Sequence, residues 1–305
     1  MTQLLVRKPS EDEAEAVAAL VNAHSIAVRG ESDITAQTVR EWLDDPAIDL
    51  RVAFDAEEPA CYGDMMVAPD GTRLHLDVRE HPDHQGSATV LLDTFEAAAV
   101  ERGATVCRAY SDRTEISYVG QLEARGYRPI RCSFEMLIAL DGSPELAPVP
   151  AGLEIRSREE GQERLMYEAS TDAFADHWGF ERRPYEEWAR RHVESTLTDR
   201  SLQFLAWDGS EIAGVCLCAP HQSLQTGFGW VDVLGVRPPW RRRGLALALL
   251  AHAFGEFSVR GFDRVGLGVD GESTTGALEL YERAGMHIAK REDTFERTLG
   301  AVAEF

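Results

Sequence analysis

The sequence predicts an α/β protein composed of two similar domains, and three observations lead to this prediction. A β-branched, apolar run at residues 233–236 is followed by prolines, a basic turn and a helix rich in leucine and alanine. Such a run is typical of a buried strand, which ends at Pro238 because proline cannot donate to a sheet ladder. The second half of the chain repeats the first at a nearly constant spacing, so that Gly86 corresponds to Gly244. Residues 141–152 join the halves, and their three prolines and two glycines resist both helix and sheet.

Short strands and helices alternate along the first half. Ser10 and Glu13 have the spacing of a capping box, which predicts the start of a helix. Runs of apolar and β-branched residues bounded by turn residues predict strands. The predicted strands are residues 4–6, 50–54, 61–67, 73–78, 106–110 and 134–140, and the predicted helices are residues 10–23, 38–42, 89–100 and 116–124.

Composition limits the function classes. A formal net charge of −21 argues against general binding to nucleic acid or to an anionic membrane. The charge is compatible with a cationic acceptor such as a polyamine or amino sugar, and equally with plain solubility. The five cysteines are scattered and odd in number, so they indicate reduced thiols rather than a disulfide framework. Cys216 and Cys218 do not have zinc spacing, and we expect no metal.

The chain is expected to act in the cytoplasm. The N-terminus goes straight into Leu4-Leu5-Val6-Arg7 and then acidic residues, and it does not resemble a signal peptide. No apolar run is long enough to span a membrane. We expect a monomer or a homodimer.

The basic turn before the second-half helix is suited to binding phosphate. A helix N-terminus presents unpaired N–H groups and partial positive charge, and Gly244 lets a ligand approach the backbone. The turn lacks the Gly-Lys-Ser/Thr of a P-loop and the Gly-x-Gly-x-x-Gly spacing of a dinucleotide site. It resembles instead the acetyl-CoA motif of the GNAT family of N-acetyltransferases, Arg/Gln-x-x-Gly-x-Gly/Ala, as Arg241-x-x-Gly244-x-Ala246.

A second piece is similar to the same family. Residues 269–286 resemble the later strand, loop and helix of GNAT proteins, which end in Ala-x-x-Leu-Tyr-x-x-x-Gly-Phe. Ser273 stands where asparagine is common, and Met286 where phenylalanine is common. The resemblance implies two tandem GNAT folds with mixed sheets, in layout similar to the mycothiol synthase subfamily. The predicted domains are a degenerate N-terminal domain at 1–140, a linker at 141–152 and a catalytic C-terminal domain at 153–305.

The first half departs from the motif. Asp83 stands at the position of Arg241, where it would oppose a pyrophosphate, and Leu122 stands at the position of Tyr281. The first half is therefore predicted to be structural or substrate-shaping. Relatives with two such domains can retain acetyl-CoA in a degenerate half, so residual binding there stays open.

The resemblance implies acetyl transfer from acetyl-CoA to an amine by direct attack. The strand is expected to splay from its neighbour and to offer main-chain groups to the pantetheine arm, with an N–H near Leu234 polarising the thioester carbonyl. The predicted cofactor-binding residues are Leu234, Gly235, Val236, Arg241, Arg242, Arg243, Gly244, Leu245, Ala246 and Ser273.

Asp232 and Tyr281 are the predicted catalytic residues. Strand alternation puts Asp232 on the face of Trp230 and Leu234, where it could take the ammonium proton, bind the cation, or serve only in a structural hydrogen bond. The phenol of Tyr281 has a pKa of about 10, above a thiol near about 8.5, so it is still protonated at a pH where the thiol ionises and is available to return a proton to the leaving thiolate.

The acceptor pocket is predicted in the aromatic segment at residues 174–188. The predicted substrate-binding residues are His177, Trp178, Tyr185 and Trp230. The sequence thus predicts an acetyl-CoA-dependent N-acetyltransferase acting on a primary amine of a small molecule. A protein or peptide N-acetyltransferase and a non-catalytic acetyl-CoA-binding module are the alternatives.

Overall fold

The computed structural model describes residues 4–32, 34–68, 70–142, 147–177, 180–195, 198–221, 226–273 and 276–299. The chain forms two compact units. The first comprises the described residues of Met1–Ser133 and Arg291–Phe305, and the second those of Phe134–His221 and Gln225–Lys290. Each unit is an α/β domain with a mixed sheet, as the sequence predicts, and helices cover both faces of the sheet.

The first unit has the strand order β1-β2-β3-β4-β5, followed by the last part of the chain's final strand, β12. Only the pair of β4 and β5 is parallel among the pairs of β1 to β5. Helices α1 and α2 cover one face of the sheet, and α3 and α4 cover the other. Its elements are β1 Leu5–Arg7, α1 Ala14–Arg29, α2 Ala36–Asp44, β2 Asp49–Asp55, β3 Glu58–Val67, β4 Arg73–Glu80, α3 Ala88–Glu101, β5 Val106–Asp112, α4 Ile116–Ala124 and the first part of β6 Arg128–Ala139.

The second unit repeats this plan. Its strand order is β7-β8-β9-β10-β11, followed by the part of β6 from Phe134, and β10 and β11 run parallel. Helices α5 and α6 cover one face, and α7 and α8 the other. Its further elements are β7 Glu154–Ser157, α5 Glu163–Phe174, α6 Tyr185–His192, β8 Gln203–Asp208, β9 Glu211–Pro220, β10 Phe228–Val236, α7 Leu245–Val259, β11 Arg264–Asp270, α8 Ala277–Arg283 and β12 His287–Thr298.

Local chemistry explains where α1 begins and ends. Ser10 and Glu13 form the predicted capping box, with the Ser10 N–H donating to Glu13 Oε2 at 2.8 Å. The box caps a short 3-10 turn, so α1 itself begins at Ala14 and ends before Gly30, whose φ is 81°. None of the described helices combines the length and apolar character needed to cross a bilayer.

The units are discontinuous in sequence because their last strands are exchanged. The first half of the chain supplies β6, which from Phe134 onward belongs to the second unit. The second half supplies β12, whose residues from Glu292 to Thr298 pair antiparallel with β5. The predicted division at 141–152 falls between β6 and β7 and remains a prediction about the domains.

The exchanged strand makes the first unit's stability depend on a residue far along the chain. Phe295 is 2% exposed and packs in the cluster formed by β3, β4, β5, α3 and α4. We expect Phe295→Ala to lower the free energy of unfolding by about 3–5 kcal/mol, because it leaves a cavity in that core. Urea denaturation measures the change. The control is Thr298→Ala on the same strand, whose side chain is exposed; equal effects of the two would contradict the packing.

Candidate active site

The strands β10 and β11 separate halfway along their length. Their parallel pairing runs from Phe228 opposite Arg264 to Val231 opposite Leu267. Both strands continue beyond that point, to Val236 and Asp270, and within the described residues they no longer pair. This is the splay expected from the resemblance. It leaves one edge of β10 without a strand partner.

The edge of β10 has N–H groups that face the gap. The Arg237 N–H, just after β10, donates to the Ala213 carbonyl of β9 at 3.0 Å. Backbone groups alternate in direction along an antiparallel strand, so Gly235 also faces β9, whereas Leu234 and Val236 face the open side. The N–H of Leu234 therefore faces the gap, and its role as an oxyanion donor stays a prediction.

A β-bulge interrupts β10 at Asp232. Val231 lies opposite Cys218 and Val233 opposite Leu217, so Asp232 is the extra residue. The bulge shifts the side chains that follow it to the opposite faces of the sheet. Leu234 therefore packs with Val231 in the core on the α7 side, whereas Asp232 contacts α6 on the other side. The prediction that Asp232 shares a face with Leu234 is therefore wrong, because simple alternation does not count the extra residue.

The turn between β10 and α7 presents a row of free donors. Arg242 and Gly244 have φ angles of 63° and 85°, and Gly244 is the N-cap of α7. Among the described residues, the backbone N–H groups from Arg242 to Leu247 have no hydrogen-bond partner. A Cβ added at Gly244 would meet no heavy atom within 4 Å. The turn is therefore open at the glycine and rich in donors, as a pyrophosphate site requires.

The side chain of Arg241 donates hydrogen bonds to three other residues of the protein. Its Nη1 and Nη2 donate to the Asp176 carboxylate at 2.6 and 2.9 Å. Its Nε donates to the Val236 carbonyl and Nη2 to the Ala173 carbonyl, each at 3.0 Å. The guanidinium holds the pKa of Asp176 at about 2. Arg241 thus fastens the turn to the end of α5, and both carboxylate oxygens of Asp176 accept hydrogen bonds from Arg241.

These elements enclose a cleft of about 590 Å³ in the second unit. Of the predicted site residues, those that line it are Asp232, Leu234, Gly235, Val236, Arg241, Arg242, Gly244, Leu245, Ala246, Ser273, Tyr281 and His177. Arg243, Tyr185 and Trp230 do not line it, and Trp178 lies outside the described residues. Lining residues that the sequence did not single out as site residues include Ala173, Phe174, Gly268, Asp270, Ala277, Glu279 and Arg283.

Helix α5 closes one side of the cleft by direct contact with β10. A Cβ at Gly235 would lie 2.8 Å from the Ala173 Cβ and 3.0 Å from Phe174 Cε2, so glycine is required there. A glycine inside a strand signals such a close approach, but the sequence does not say which element approaches. The Phe174 ring packs against His177, with 4.6 Å between the ring centroids. Burial lowers the pKa of His177 against the opposing charge of Asp176, which favours a neutral imidazole at pH 7.

The tyrosine that lines the cleft is Tyr281 on α8, which is 8% exposed. Burial raises the pKa of Tyr281 to about 12, so its phenol is protonated at neutral pH. Among the described residues its hydroxyl has no hydrogen-bond partner. A protonated, unengaged phenol beside the gap is suited to donating a proton.

Asp232 lies in the cleft as a paired carboxylate. His192 Nδ1 lies 3.2 Å from Asp232 Oδ2, and Arg191 Nη2 donates to Oδ1 at 3.2 Å. Burial raises the pKa of Asp232, but the hydrogen bond from His192 and the charge of Arg191 outweigh it, so the net pKa is below the ordinary value. A carboxylate with a lowered pKa is a weak base. The sequence did not identify Arg191 and His192, because they come from α6, far from β10 along the chain.

The other predicted acceptor residues have packing contacts. The ring of Tyr185 packs edge-on against Tyr167 at 5.6 Å between centroids, and Arg164 lies over the Tyr185 ring at 4.1 Å. Trp230 packs against His221 at 5.0 Å and against the strand at Gly266. Their rings support the elements around the cleft, and their role in binding an acceptor stays a prediction.

Comparison with known proteins identifies the family. The family model described as the acetyltransferase (GNAT) family matches residues 164–286. A mycothiol acetyltransferase from Salinispora arenicola is 31% identical over 218 residues, which cover 70% of this chain and 69% of that protein. The chain belongs to the GNAT family.

Solved structures of GNAT proteins agree with this placement. A GCN5-related N-acetyltransferase from Sphaerobacter thermophilus has a TM-score of 0.82 and 32% identity, covering 97% of this chain and 95% of that one. A tandem GNAT protein from the clavulanic acid biosynthesis pathway has a TM-score of 0.78 at 13% identity, covering 98% and 99%, and shows the fold alone.

Other GNAT relatives match over a shorter region. Mycothiol acetyltransferases from Thermobispora bispora and Beutenbergia cavernae are 33% and 34% identical, over 47% and 45% of this chain. The chain spans about half the length of these two relatives, 48% and 46%.

The structure has a place for both residues that depart from the GNAT pattern. Ser273 lines the cleft, and Met286 is 4% exposed in the core.

Proposed function

We propose that this chain is an acetyl-CoA-dependent N-acetyltransferase that acetylates a primary amine of a small molecule by direct attack. The observation that carries the proposal is the cleft of the second unit, where a splayed strand edge, a row of unpaired N–H groups and a protonated tyrosine meet. A binding module needs the first two features only. The tyrosine favours an enzyme.

The cofactor-binding role belongs to the backbone of the turn. The N–H groups from Arg242 to Leu247 would hold the pyrophosphate, assisted by the positive end of the α7 dipole. Arg241 acts indirectly, because its donors hold the turn against Asp176 and two carbonyls. The open edge at Leu234 and Val236 would bind the pantetheine arm.

The acetyl transfer needs three groups. The Leu234 N–H would stabilise the charge that develops on the thioester oxygen as the amine attacks. Asp232 would attract and orient the ammonium form of the acceptor, which passes one proton to water before the neutral amine attacks. Tyr281 would then protonate the thiolate as the carbon–sulfur bond breaks. The nitrogen of the new amide gives its extra proton to the Tyr281 phenolate, so acetyl ends on nitrogen, the phenol is restored, and coenzyme A leaves as the neutral thiol.

Thiol release from acetyl-CoA across a panel of amines tests the proposal. The panel contains amino sugars, polyamines, aminoglycosides, thiol precursors and peptides with a free N-terminus. The peptides are included because an N-alpha-acetyltransferase from Arabidopsis thaliana is 36% identical over 30% of this chain and 47% of its own length. Turnover with peptides alone would favour the peptide enzyme. Tight cofactor binding without turnover on any acceptor would favour the binding module.

The role of Asp232 is tested by Asp232→Asn. Because the pKa of Asp232 is lowered, we expect it to bind the cation rather than act as the base. The Michaelis constant for the amine should rise roughly tenfold, as for loss of a charge-assisted hydrogen bond, with little change in kcat. Steady-state kinetics with the accepted amine measures both. The control is Asp199→Asn, an ion-paired carboxylate outside the cleft. A fall in kcat without a change in the Michaelis constant would make Asp232 the base.

A further inference from the structure

The first unit contains the same turn as the cleft of the second unit. Gly86, which corresponds to Gly244, has a φ of 92°, and α3 begins two residues later at Ala88. The strands β4 and β5 also pair only as far as Leu76 opposite Ala109. The scaffold of an acyl-CoA site is therefore present twice.

In the first unit a carboxylate of the protein occupies the donors of this turn. Glu80, the last residue of β4, is 7% exposed. Its Oε1 accepts from the Gly86 N–H and the Ala88 N–H, each at 2.8 Å. The same oxygen accepts from Gln121 Nε2 on α4 at 2.8 Å. One buried anion thus binds the start of α3 and also α4.

The second unit lacks this internal anion. The spacing that pairs Gly86 with Gly244 pairs Glu80 with Pro238, which has no side-chain acceptor. The corresponding N–H groups of Gly244 and Ala246 have no partner among the described residues, and both residues line the cleft. Among the described residues, these backbone N–H groups therefore have a carboxylate acceptor in the first unit, whereas the corresponding groups of the second unit have none.

A tyrosine also occupies space in the first unit. The spacing that pairs Leu122 with Tyr281 pairs Tyr118 with Ala277, a residue that lines the cleft of the second unit. Tyr118 is 2% exposed and packs in the cluster that contains Cys61, Val78 and Ala88. A large ring thus stands where the second unit has a methyl group.

We propose that Glu80 and Tyr118 close the first unit to acyl-CoA, so that the chain has a single acyl-CoA site. Glu80 takes the place of the pyrophosphate, and displacing it would leave a buried carboxylate without its donors. Asp83, which the sequence suggests as the repelling group, has a side chain that is 86% exposed. The buried Glu80, not Asp83, is the direct occupant. The choice of acyl-CoA as ligand rests on the proposed function.

Calorimetric titration of the full chain with acetyl-CoA is the first test. We expect one site per chain in the wild type. Two sites would overturn the proposal. The Gly244→Asp variant, which disables the second unit's turn, should then lose acetyl-CoA affinity roughly a hundredfold or more, and a site that keeps the wild-type affinity in it would also overturn the proposal.

Pyrophosphate titration of Glu80 variants in the Gly244→Asp background is the second test. Glu80→Ala frees the donors and should bind inorganic pyrophosphate roughly tenfold more tightly than Glu80→Gln, whose amide oxygen can still accept from them. Equal binding by the two variants, each shown to be folded by circular dichroism, would overturn the role of Glu80. Neither titration depends on turnover, so both results can be interpreted even if no amine of the panel is acetylated.

Discussion

Gly244→Asp is expected to weaken acetyl-CoA binding roughly a hundredfold or more while the chain still folds, because a carboxylate would face the pyrophosphate across a few ångströms. A Cβ at Gly244 meets no heavy atom within 4 Å, so the side chain fits sterically. The φ of 85° makes any side chain strained, at a cost of about 1–2 kcal/mol. Calorimetric titration with acetyl-CoA measures the loss, and thermal unfolding checks the fold.

Two alanine variants separate charge from backbone strain. Gly244→Ala adds the strain without the charge and should retain much more affinity than Gly244→Asp. Gly86→Ala adds comparable strain at φ 92° in the first unit and should leave acetyl-CoA affinity unchanged. An unchanged affinity in Gly244→Asp would mean that the pyrophosphate binds elsewhere.

Tyr281→Phe is expected to lower kcat roughly a hundredfold or more, the usual effect of a positioned proton donor. The effect falls on turnover because the donor acts on charge that develops only as the carbon–sulfur bond breaks. The hydroxyl has no hydrogen-bond partner among the described residues, so its removal leaves no group unsatisfied and the fold and cofactor affinity should survive. Steady-state kinetics with the accepted amine measures the fall.

The pH dependence gives a second readout. With its pKa raised to about 12, Tyr281 stays protonated at every pH well below that value. We therefore expect no decline of kcat from Tyr281 ionisation between about pH 7 and 10. The control is Tyr127→Phe, which removes a buried phenol from the first unit and should leave kcat unchanged. Near-normal turnover in Tyr281→Phe would assign thiolate protonation to water or another donor.

The sequence by itself determined the α/β class, the repeated fold and the basic turn before α7. These depend on local chemistry: proline ends a strand, glycine permits the φ of 85° at Gly244, and leucine and alanine continue as α7. The resemblance to the GNAT motifs singled out Leu234 and Tyr281, which line one cleft. The motif spacing was sufficient because both residues belong to the run of elements from β10 to α8, which lies in one unit.

Contacts between residues distant along the chain were decided only by the tertiary structure. The bulge at Asp232 changes which face each β10 side chain occupies, and it depends on pairing with β9. The partner of Arg241 is Asp176, just after α5, and the exchanged β12 pairs with β5. The carboxylate of Glu80 reaches the turn at Gly86 because β4 and α3 bring them together. Residue type and spacing specify which groups can donate and accept, but the fold decides which of them meet.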